Sequence, residues 1–208
     1  MQSIAILGIH TGIGKTIATA VLAEAMNADY WKPVQAGMEE RDSLTLKQLL
    51  TNGNNRVHEE AVKLSQPMSP HAAAAIDGID IDYTKFVWPK TENTLLVETA
   101  GGILSPMSAN TTMADFVLYY KMPAILVAQN YLGSINHTLL SIEVLKNRGI
   151  PLLGLVINGH ANESSETFIE QYSKVPIIAR IPHFDTLDNL SISGYAKKIK
   201  QALLTFEF

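Results

Sequence analysis

The sequence predicts an α/β fold in which helices flank a doubly wound, mostly parallel sheet. Two observations point to it: short apolar runs alternate along the chain with helical patterns, and these runs are apolar on both faces. No repeat or low-complexity segment divides the 208 residues, of which 47% are hydrophobic and 17% are charged. We therefore expect residues 1–208 to fold as a single domain with a sizeable core.

Strands are predicted where the short apolar runs occur. These runs lie at residues 3–7, 94–97, 124–128, 152–157 and 176–181. A further strand is expected just before Lys32, because the Lys32-Pro33 pair favours extended backbone there.

Helices are predicted where apolar residues recur at spacings of three and four. This pattern covers residues 16–26, 112–120, 134–147, 163–172 and 193–204. Thr112 and Asp115 have the spacing of a capping box, and Ser134 is placed to cap the helix that follows it. The least regular segment is 35–89, where we expect short helices at 43–50 and 59–64.

Composition excludes several classes of protein. With 16 Lys+Arg against 20 Asp+Glu and no basic block, the chain is not expected to bind nucleic acid. The absence of cysteine excludes disulfides, thiolate zinc sites and a catalytic thiol. The longest uncharged run, 122–142, is interrupted by polar residues and is not expected to span a membrane. No targeting segment is visible, so we expect a cytoplasmic protein.

The strongest motif is a glycine-rich loop, Gly8-Ile-His-Thr-Gly-Ile-Gly-Lys-Thr16, between the first strand and the first helix. Glycines let backbone N–H groups turn towards an anion, and the helix N-terminus adds partial positive charge. Lys15 is predicted to reach the β/γ-phosphates and the Thr16 hydroxyl to ligate Mg²⁺. Ile9 stands where the strict phosphate-loop pattern has glycine. A P-loop NTPase-like fold is predicted; the alternative is a glycine-rich turn with a surface lysine.

Three further charged residues are candidates for the same site. Glu98 ends a predicted buried strand, which is a Mg²⁺-binding position in such sheets, although it could be a solvated acid. Lys32 follows the second predicted strand and could stabilise a transferring phosphoryl group; a solvated lysine is the commoner case. Asp42 is either a metal ligand or a helix N-cap.

Seven motifs occur in an order and at a spacing that resemble the dethiobiotin synthetase family, over nearly the whole chain to about Pro182. They are Gly8-Ile-His-Thr-Gly-Ile-Gly-Lys-Thr16, Lys32-Pro-Val-Gln35, Ser69-Pro-His-Ala-Ala73, Val97-Glu-Thr-Ala-Gly-Gly102, Met113-Ala-Asp-Phe116, Leu132-Gly-Ser-Ile-Asn-His137 and Gly154-Leu-Val-Ile-Asn158. The resemblance implies an ATP- and Mg²⁺-dependent ligase of biotin biosynthesis. In this family 7,8-diaminononanoate and CO₂ form a carbamate, which attacks the γ-phosphate. The resulting carbamic–phosphoric anhydride closes to the ureido ring and releases phosphate.

The resemblance also implies roles for the matched residues. Phosphate binding falls to Thr11, Gly12, Ile13, Gly14 and Lys15. Asn158 is implied to contact the purine, and Mg²⁺ is implied to be bound by Thr16, Asp42 and Glu98. Lys15 and Lys32 are implied to stabilise the phosphoryl group and the carbamate. The diamine is implied to lie against Lys32, Ala36, Gly101 and Gly102. Its carboxylate tail is implied to reach Leu132, Gly133 and Asn136 of the partner subunit in a homodimer.

The chain departs from the family pattern at four places. Ala36 replaces a usual Ser or Thr, Thr99 replaces a common Gly, and His10 replaces a common Asp. The region after Pro182, which in the family helps to enclose the nucleotide base, is short. Two alternatives remain open: a partitioning-type ATPase, whose signature lysine would stand at position 10, and a non-catalytic nucleotide-binding regulator.

Overall fold

Nine strands form two sheets in the computed structural model, which describes residues 2–51, 53–203 and 205–206. The strands are β1 Ser3–Gly8, β2 Asp29–Trp31, β3 Val34–Ala36, β4 Val57–His58, β5 Val62–Leu64, β6 Leu95–Glu98, β7 Ala124–Gln129, β8 Leu152–Asn158 and β9 Ile177–Ile181. Seven of them form one sheet in the order β4-β2-β6-β1-β7-β8-β9, and β3 pairs with β5. Each of these pairs is parallel.

Eight α-helices and one 3₁₀-helix, Tyr83–Lys85, occur in the described part of the chain. The α-helices are α1 Lys15–Met26, α2 Asp42–Leu49, α3 Gly53–Arg56, α4 Pro70–Asp77, α5 Met113–Tyr119, α6 Ser134–Asn147, α7 Glu163–Ser173 and α8 Asn189–Leu203. Within the residues that the structure describes, none of these helices has the length and apolarity needed to cross a bilayer.

The sheet buries a separate core on each face, as a doubly wound fold requires. Successive residues of a strand point to opposite faces. In β1, Ile4 and Ile6 therefore pack under α1, α2 and α8, whereas Ala5 and Leu7 pack under α4, α5, α6 and α7. Both cores consist mainly of buried aliphatic side chains, with Trp31 and Phe116 in one and Tyr30 in the other, which explains why the strand sequences lack polar alternation.

Most of the predicted elements are confirmed, and two helix predictions are corrected. Residues 59–64 are not a helix: Val62–Leu64 forms β5, because these residues pair with β3. The last helix begins at Asn189, four residues earlier than predicted, and its predicted end, Leu204, lies outside the described residues. Helix α4 was not predicted, although Pro70 stands at its first turn, where proline is favoured.

The helix caps give one confirmation and one correction. Thr112 and Asp115 form the predicted capping box: the Thr112 N–H donates to the Asp115 carboxylate over 2.7 Å. Ser134 does not cap α6. The N-cap is Gly133, whose left-handed backbone (φ 97°) suits glycine, and Ser134 is the first helical residue.

Lys174 provides a test of backbone strain at the end of α7. It is exposed and has a left-handed conformation (φ 60°) that costs residues other than glycine about 1 kcal/mol. We expect Lys174→Gly to raise the free energy of unfolding by about that amount, measured by urea denaturation. The control, Lys197→Gly in the interior of α8, should lower it by about 1 kcal/mol. An unchanged or lower stability of Lys174→Gly would contradict the strain.

Candidate active site

The carboxyl ends of neighbouring parallel strands meet at one edge of the main sheet. β1 ends at Gly8 and continues into the loop before α1, while the adjacent β6 ends at Glu98. On one side β2 leads into Lys32, and on the other β8 ends at Asn158. Ligands of doubly wound folds bind outside this edge. The topology thus assembles residues that are far apart in sequence.

The glycine-rich loop has a backbone that requires glycine. Gly14 has φ 78°, and a side chain there would collide with the Asn158 amide. Asn158 Nδ2 donates to the Ile13 carbonyl oxygen over 2.9 Å, so the end of β8 holds the loop. Gly12 has the same left-handed φ and open space around it. The loop therefore leads into the α1 N-terminus with its backbone free to approach an anion.

Lys15 lies across this loop and is almost fully buried. Its Nζ donates to the carbonyl oxygens of Gly101 (2.7 Å) and His10 (3.2 Å). Burial lowers the pKa of Lys15, and Glu98 partly offsets this effect. Neutral carbonyls are weaker partners for an ammonium group than a phosphate oxygen. The side chain is thus held at the loop by bonds that an anion can replace.

Thr16, Asp42 and Glu98 form a cluster of oxygen atoms next to Lys15. The Thr16 hydroxyl lies 2.7 Å from Asp42 Oδ1 and 3.2 Å from Glu98 Oε1. Glu98 is 1% exposed, and its Oε2 makes no hydrogen bond of normal geometry within the described residues, although the Tyr30 hydroxyl is an electrostatic partner of the carboxylate. Burial raises the pKa of Glu98, whereas the positive charge of Lys32 opposes the shift. A buried carboxylate oxygen without a partner is costly unless a cation or proton satisfies it.

Lys32 and Asp42 form an ion pair at the rim of this cluster. Asp42 is not a helix cap: Arg41 occupies the N-cap position of α2, and Asp42 is the first helical residue. Its carboxylate instead accepts from Lys32 and Thr16. Lys32 is 8% exposed, so the expectation of a solvated lysine, the commoner case on sequence alone, is wrong.

Two adjoining cavities open beside the loop. The first, which we call the polar cavity, has about 720 Å³ and is lined by Lys32, Ala36, Asp42 and Gly101 among others. The second, the apolar cavity, has about 630 Å³ and includes Gly102. Its wall includes five aliphatic residues, which are Ile9, Ile103, Leu104, Leu140 and Val144. Thr11 and Ser105 line both cavities, so a ligand can extend from one into the other.

The predicted residues of the 132–136 segment lie apart from this centre. Leu132, Gly133 and Asn136 line a separate depression at the start of α6, and Leu132 is fully exposed. None of the three lines the polar or the apolar cavity. Within one chain, therefore, they do not join Lys15 and Lys32.

Three residues at the site were not predicted from the sequence. The Ser105 hydroxyl accepts from the Gly102 N–H (2.8 Å) between the two cavities. The Gln35 amide donates to the Gly37 carbonyl (3.0 Å), and its oxygen accepts from the Asp42 N–H (3.4 Å). Burial, together with Glu98 and Asp42, raises the pKa of Tyr30 well above its usual value. Gln35 closes the Lys32-Pro-Val-Gln35 motif, which was its only signal in the sequence.

Comparison with known proteins places the chain in a family. Residues 2–191 match a family model described as an AAA domain. The chain is 43% identical over 203 residues to the ATP-dependent dethiobiotin synthetase of Christiangramia forsetii, covering 97% of this chain and 98% of that protein. It is also 43% identical to the Chlamydia pneumoniae synthetase, over 97% of this chain and 90% of that protein.

The chain belongs to the dethiobiotin synthetase family. Solved structures extend the likeness of fold beyond this family. MinD of Aquifex aeolicus in its MinC complex is similar with a TM-score of 0.57 and 14% identity, over 100% of this chain and 98% of that one. MinD of Pyrococcus horikoshii with Mg-ADP has a TM-score of 0.55 and 17% identity, over 97% and 94% of the chains. These likenesses confirm the predicted P-loop NTPase-like fold.

The departures from the dethiobiotin synthetase pattern have different structural settings. Thr99 is buried just after the end of β6, and its hydroxyl donates to the Ile6 carbonyl of β1 (3.2 Å). Ala36 lines the polar cavity without a hydroxyl group. His10 lines the apolar cavity. The segment after Pro182 borders a depression with Gly159, beyond the ends of β8 and β9.

Proposed function

We propose that this chain is an ATP-dependent ligase that joins CO₂ to 7,8-diaminononanoate and closes the ureido ring of dethiobiotin. The observation that carries the proposal is the convergence of Lys15, Lys32, Asp42 and Glu98 on one phosphate loop. A non-catalytic regulator needs neither the second lysine nor the pair of acids formed by the buried Glu98 and the half-buried Asp42. In a partitioning-type ATPase, position 10 would be lysine, whereas here it is His10.

Mg²⁺ fits the cluster of Thr16, Asp42 and Glu98. Two carboxylates and a hydroxyl are hard oxygen ligands, which Mg²⁺ prefers, and Glu98 Oε2, which makes no hydrogen bond of normal geometry within the described residues, is available as a ligand atom. When bound, the ion supplies charge neutralisation for the phosphates during transfer. Thr16 and Glu98 are held in place by α1 and β6, so the ligand atoms are positioned before the ion arrives.

The chain's own groups account for the remaining chemistry of phosphoryl transfer. Such transfer has a loose transition state, so catalysis consists of positioning and charge stabilisation. Lys15 replaces its carbonyl partners by phosphate oxygens, and Lys32 supplies a second positive charge at the polar cavity. The carbamate oxygen attacks the γ-phosphate beside these lysines, and ADP leaves. The second amine then attacks the carbonyl carbon, and phosphate leaves.

ATP is bound at the loop, with its base near Asn158. Thr11, Gly12, Ile13 and Gly14 supply the backbone cradle for the phosphates. Because Asn158 Nδ2 is engaged by the Ile13 carbonyl, its Oδ1 is left as an acceptor. An acceptor complements the exocyclic amine of adenine.

The substrate pocket is completed by a second copy of the chain. Gly101 and Gly102 leave room for the diamine end, and the apolar cavity suits an aliphatic chain. Leu104 and Leu140 on its rim are about half exposed, and Leu132 is fully exposed nearby. Such an apolar surface favours association, and in the homodimer the substrate carboxylate meets the α6 N-terminus formed by Leu132, Gly133 and Asn136.

We also propose that the chain is a single domain, has no nucleic-acid partner and is cytoplasmic. One sheet with a core on each face supports a single P-loop NTPase-like domain for residues 1–208. The net charge of −4 and the absence of a basic block support a chain without a nucleic-acid partner. Biosynthesis from CO₂ and ATP, in a chain without cysteine, supports a cytoplasmic enzyme.

The decisive experiment is product formation by the purified protein. With 7,8-diaminononanoate, bicarbonate and MgATP, we expect dethiobiotin by mass spectrometry and one ADP per product. Omitting the diamine should abolish product and leave ADP release at least about tenfold slower, since phosphoryl transfer needs the carbamate. Rapid ATP hydrolysis that does not depend on the diamine, without product, would refute the proposal and favour the ATPase alternative.

A further inference from the structure

His10 lines a cavity, and its hydrogen bond indicates which ring nitrogen carries the proton. It lies in the phosphate loop, where it replaces the family's usual Asp, and lines the apolar cavity beside Gly102. Its Nδ1 is hydrogen-bonded to the Thr11 carbonyl oxygen. A carbonyl oxygen only accepts, so Nδ1 carries the proton and Nε2 carries the lone pair in the neutral ring. No hydrogen bond to Nε2 occurs within the described part of the chain.

The ring of His10 is held by Tyr131, which precedes α6, and indirectly by His137 within α6. Tyr131 packs edge-to-face against it, with ring centroids 5.3 Å apart at 76°. The Tyr131 hydroxyl shares a 2.7 Å hydrogen bond with His137 Nδ1, which fixes the tyrosine. From α1, Lys15 contacts only the His10 carbonyl oxygen. The 102–106 wall of the cavity has no titratable side chain, so Tyr131, His137 and Lys15 are the titratable groups that face His10.

The proposed reaction needs a proton acceptor that the phosphate machinery does not provide. An alkylammonium group has no lone pair, so it must lose a proton before its nitrogen can attack CO₂. Lys15 and Lys32 act as cations. Asp42 is paired with Lys32, and Glu98 faces Thr16 in the cluster assigned to Mg²⁺. Imidazole is the side chain best suited to take up a proton at neutral pH.

We propose that His10 is the general base that prepares the substrate amine for carboxylation, an inference that rests on the proposed function. Nε2 takes one proton from the ammonium group, and the freed electron pair forms the N–C bond to CO₂. One C–O π pair moves onto oxygen at the same time. The nitrogen then loses a second proton to water, which leaves the carbamate, and His10 returns its proton to solvent through the open cavity. Tyr131 is a positioning residue in this scheme.

The pH dependence of His10→Asn tests the role. We expect kcat/KM for the diamine to fall about 10²-fold at pH 7. Without a base, only the free amine reacts. The kcat/KM of the variant should therefore rise about tenfold per pH unit between pH 7 and pH 8.5. The wild-type enzyme, which uses the abundant ammonium form, should change less than about threefold over this range. In His10→Gly, added imidazole should restore part of the rate by occupying the vacated space.

Two controls separate this role from a structural one. His71→Asn, on the exposed face of α4, should behave as wild type. The affinity of His10→Asn for a fluorescent ATP analogue should stay within about twofold, since the loop backbone and Lys15 are unchanged. A normal rate at pH 7 would overturn the inference, as would a deficit that neither pH nor imidazole relieves, or an equal loss of nucleotide affinity. Failure of the wild-type protein to make dethiobiotin would instead refute the proposed function.

Discussion

Lys15→Ala is expected to lower the turnover number for dethiobiotin by at least about 10³-fold, the largest loss for any single side chain of the loop. Lys15 is the cation that lies across the phosphate loop, with its Nζ held by the Gly101 and His10 carbonyls. Phosphoryl transfer therefore loses the charge that is closest to the developing negative charge. Turnover is measured by mass spectrometric product assay, with nucleotide affinity measured in parallel.

The fold should survive this substitution. Burial already disfavours the charged form of Lys15, as its lowered pKa indicates, so removing it should leave the midpoint of thermal unfolding equal or higher. Lys63→Ala is the matched control, because its ion pair with Glu59 is exposed and screened. Near-normal turnover in Lys15→Ala would contradict the assignment of the loop as the phosphate site.

Glu98→Gln is expected to remove magnesium dependence and to lower turnover by at least about 10²-fold. The amide cannot supply the charge of the buried carboxylate, although its volume is nearly the same. In the wild-type protein, Mg²⁺ added to an ADP-saturated sample should raise the thermal midpoint, because a bound ligand stabilises the native state. In Glu98→Gln this increment should disappear. EDTA should therefore leave the thermal midpoint of the ADP-saturated variant unchanged.

The same variant tests the electrostatics of the ion-free site. Burial raises the pKa of Glu98, so its ionised form destabilises the folded state at neutral pH. We therefore expect Glu98→Gln to unfold without ligands at an equal or higher temperature than wild type. Asp80→Asn, an exposed control, should keep both turnover and the magnesium increment. A full magnesium increment in Glu98→Gln would place the ion elsewhere.

Features of the site that belong to strand ends were predictable from the sequence. The loop before α1 and Glu98 at the end of β6 each follow a continuous apolar run, and parallel strands end at one edge of the sheet. The sequence predicted less clearly that Lys32 lies beside this cluster, since a lone lysine is usually solvated. Its burial results from the ion pair with Asp42, a contact between residues that are close in sequence but lie on different elements.

The sequence does not predict contacts within the irregular segment 35–89 or within the loop after β6. β5 pairs with β3 although neither strand has a long apolar run, so residues 59–64 gave a helical pattern instead. Asp42 resembled a helix cap because Asp is common there, but Arg41 holds that position. The contact of Ser105 with Gly102 depends on the fold of the loop after β6, for which the sequence contains no periodic signal.

The hydrogen bond from Asn158 to Ile13 affects the thermodynamics of nucleotide capture. It ties the loop between β1 and α1 to the end of β8, which is separated from β1 by β7 in the sheet. The loop thus loses conformational freedom when the chain folds rather than when the nucleotide arrives. Preorganisation of this kind leaves more of the contact energy available as affinity. The asparagine therefore acts as a brace for the phosphate loop from the end of β8, on the far side of β7.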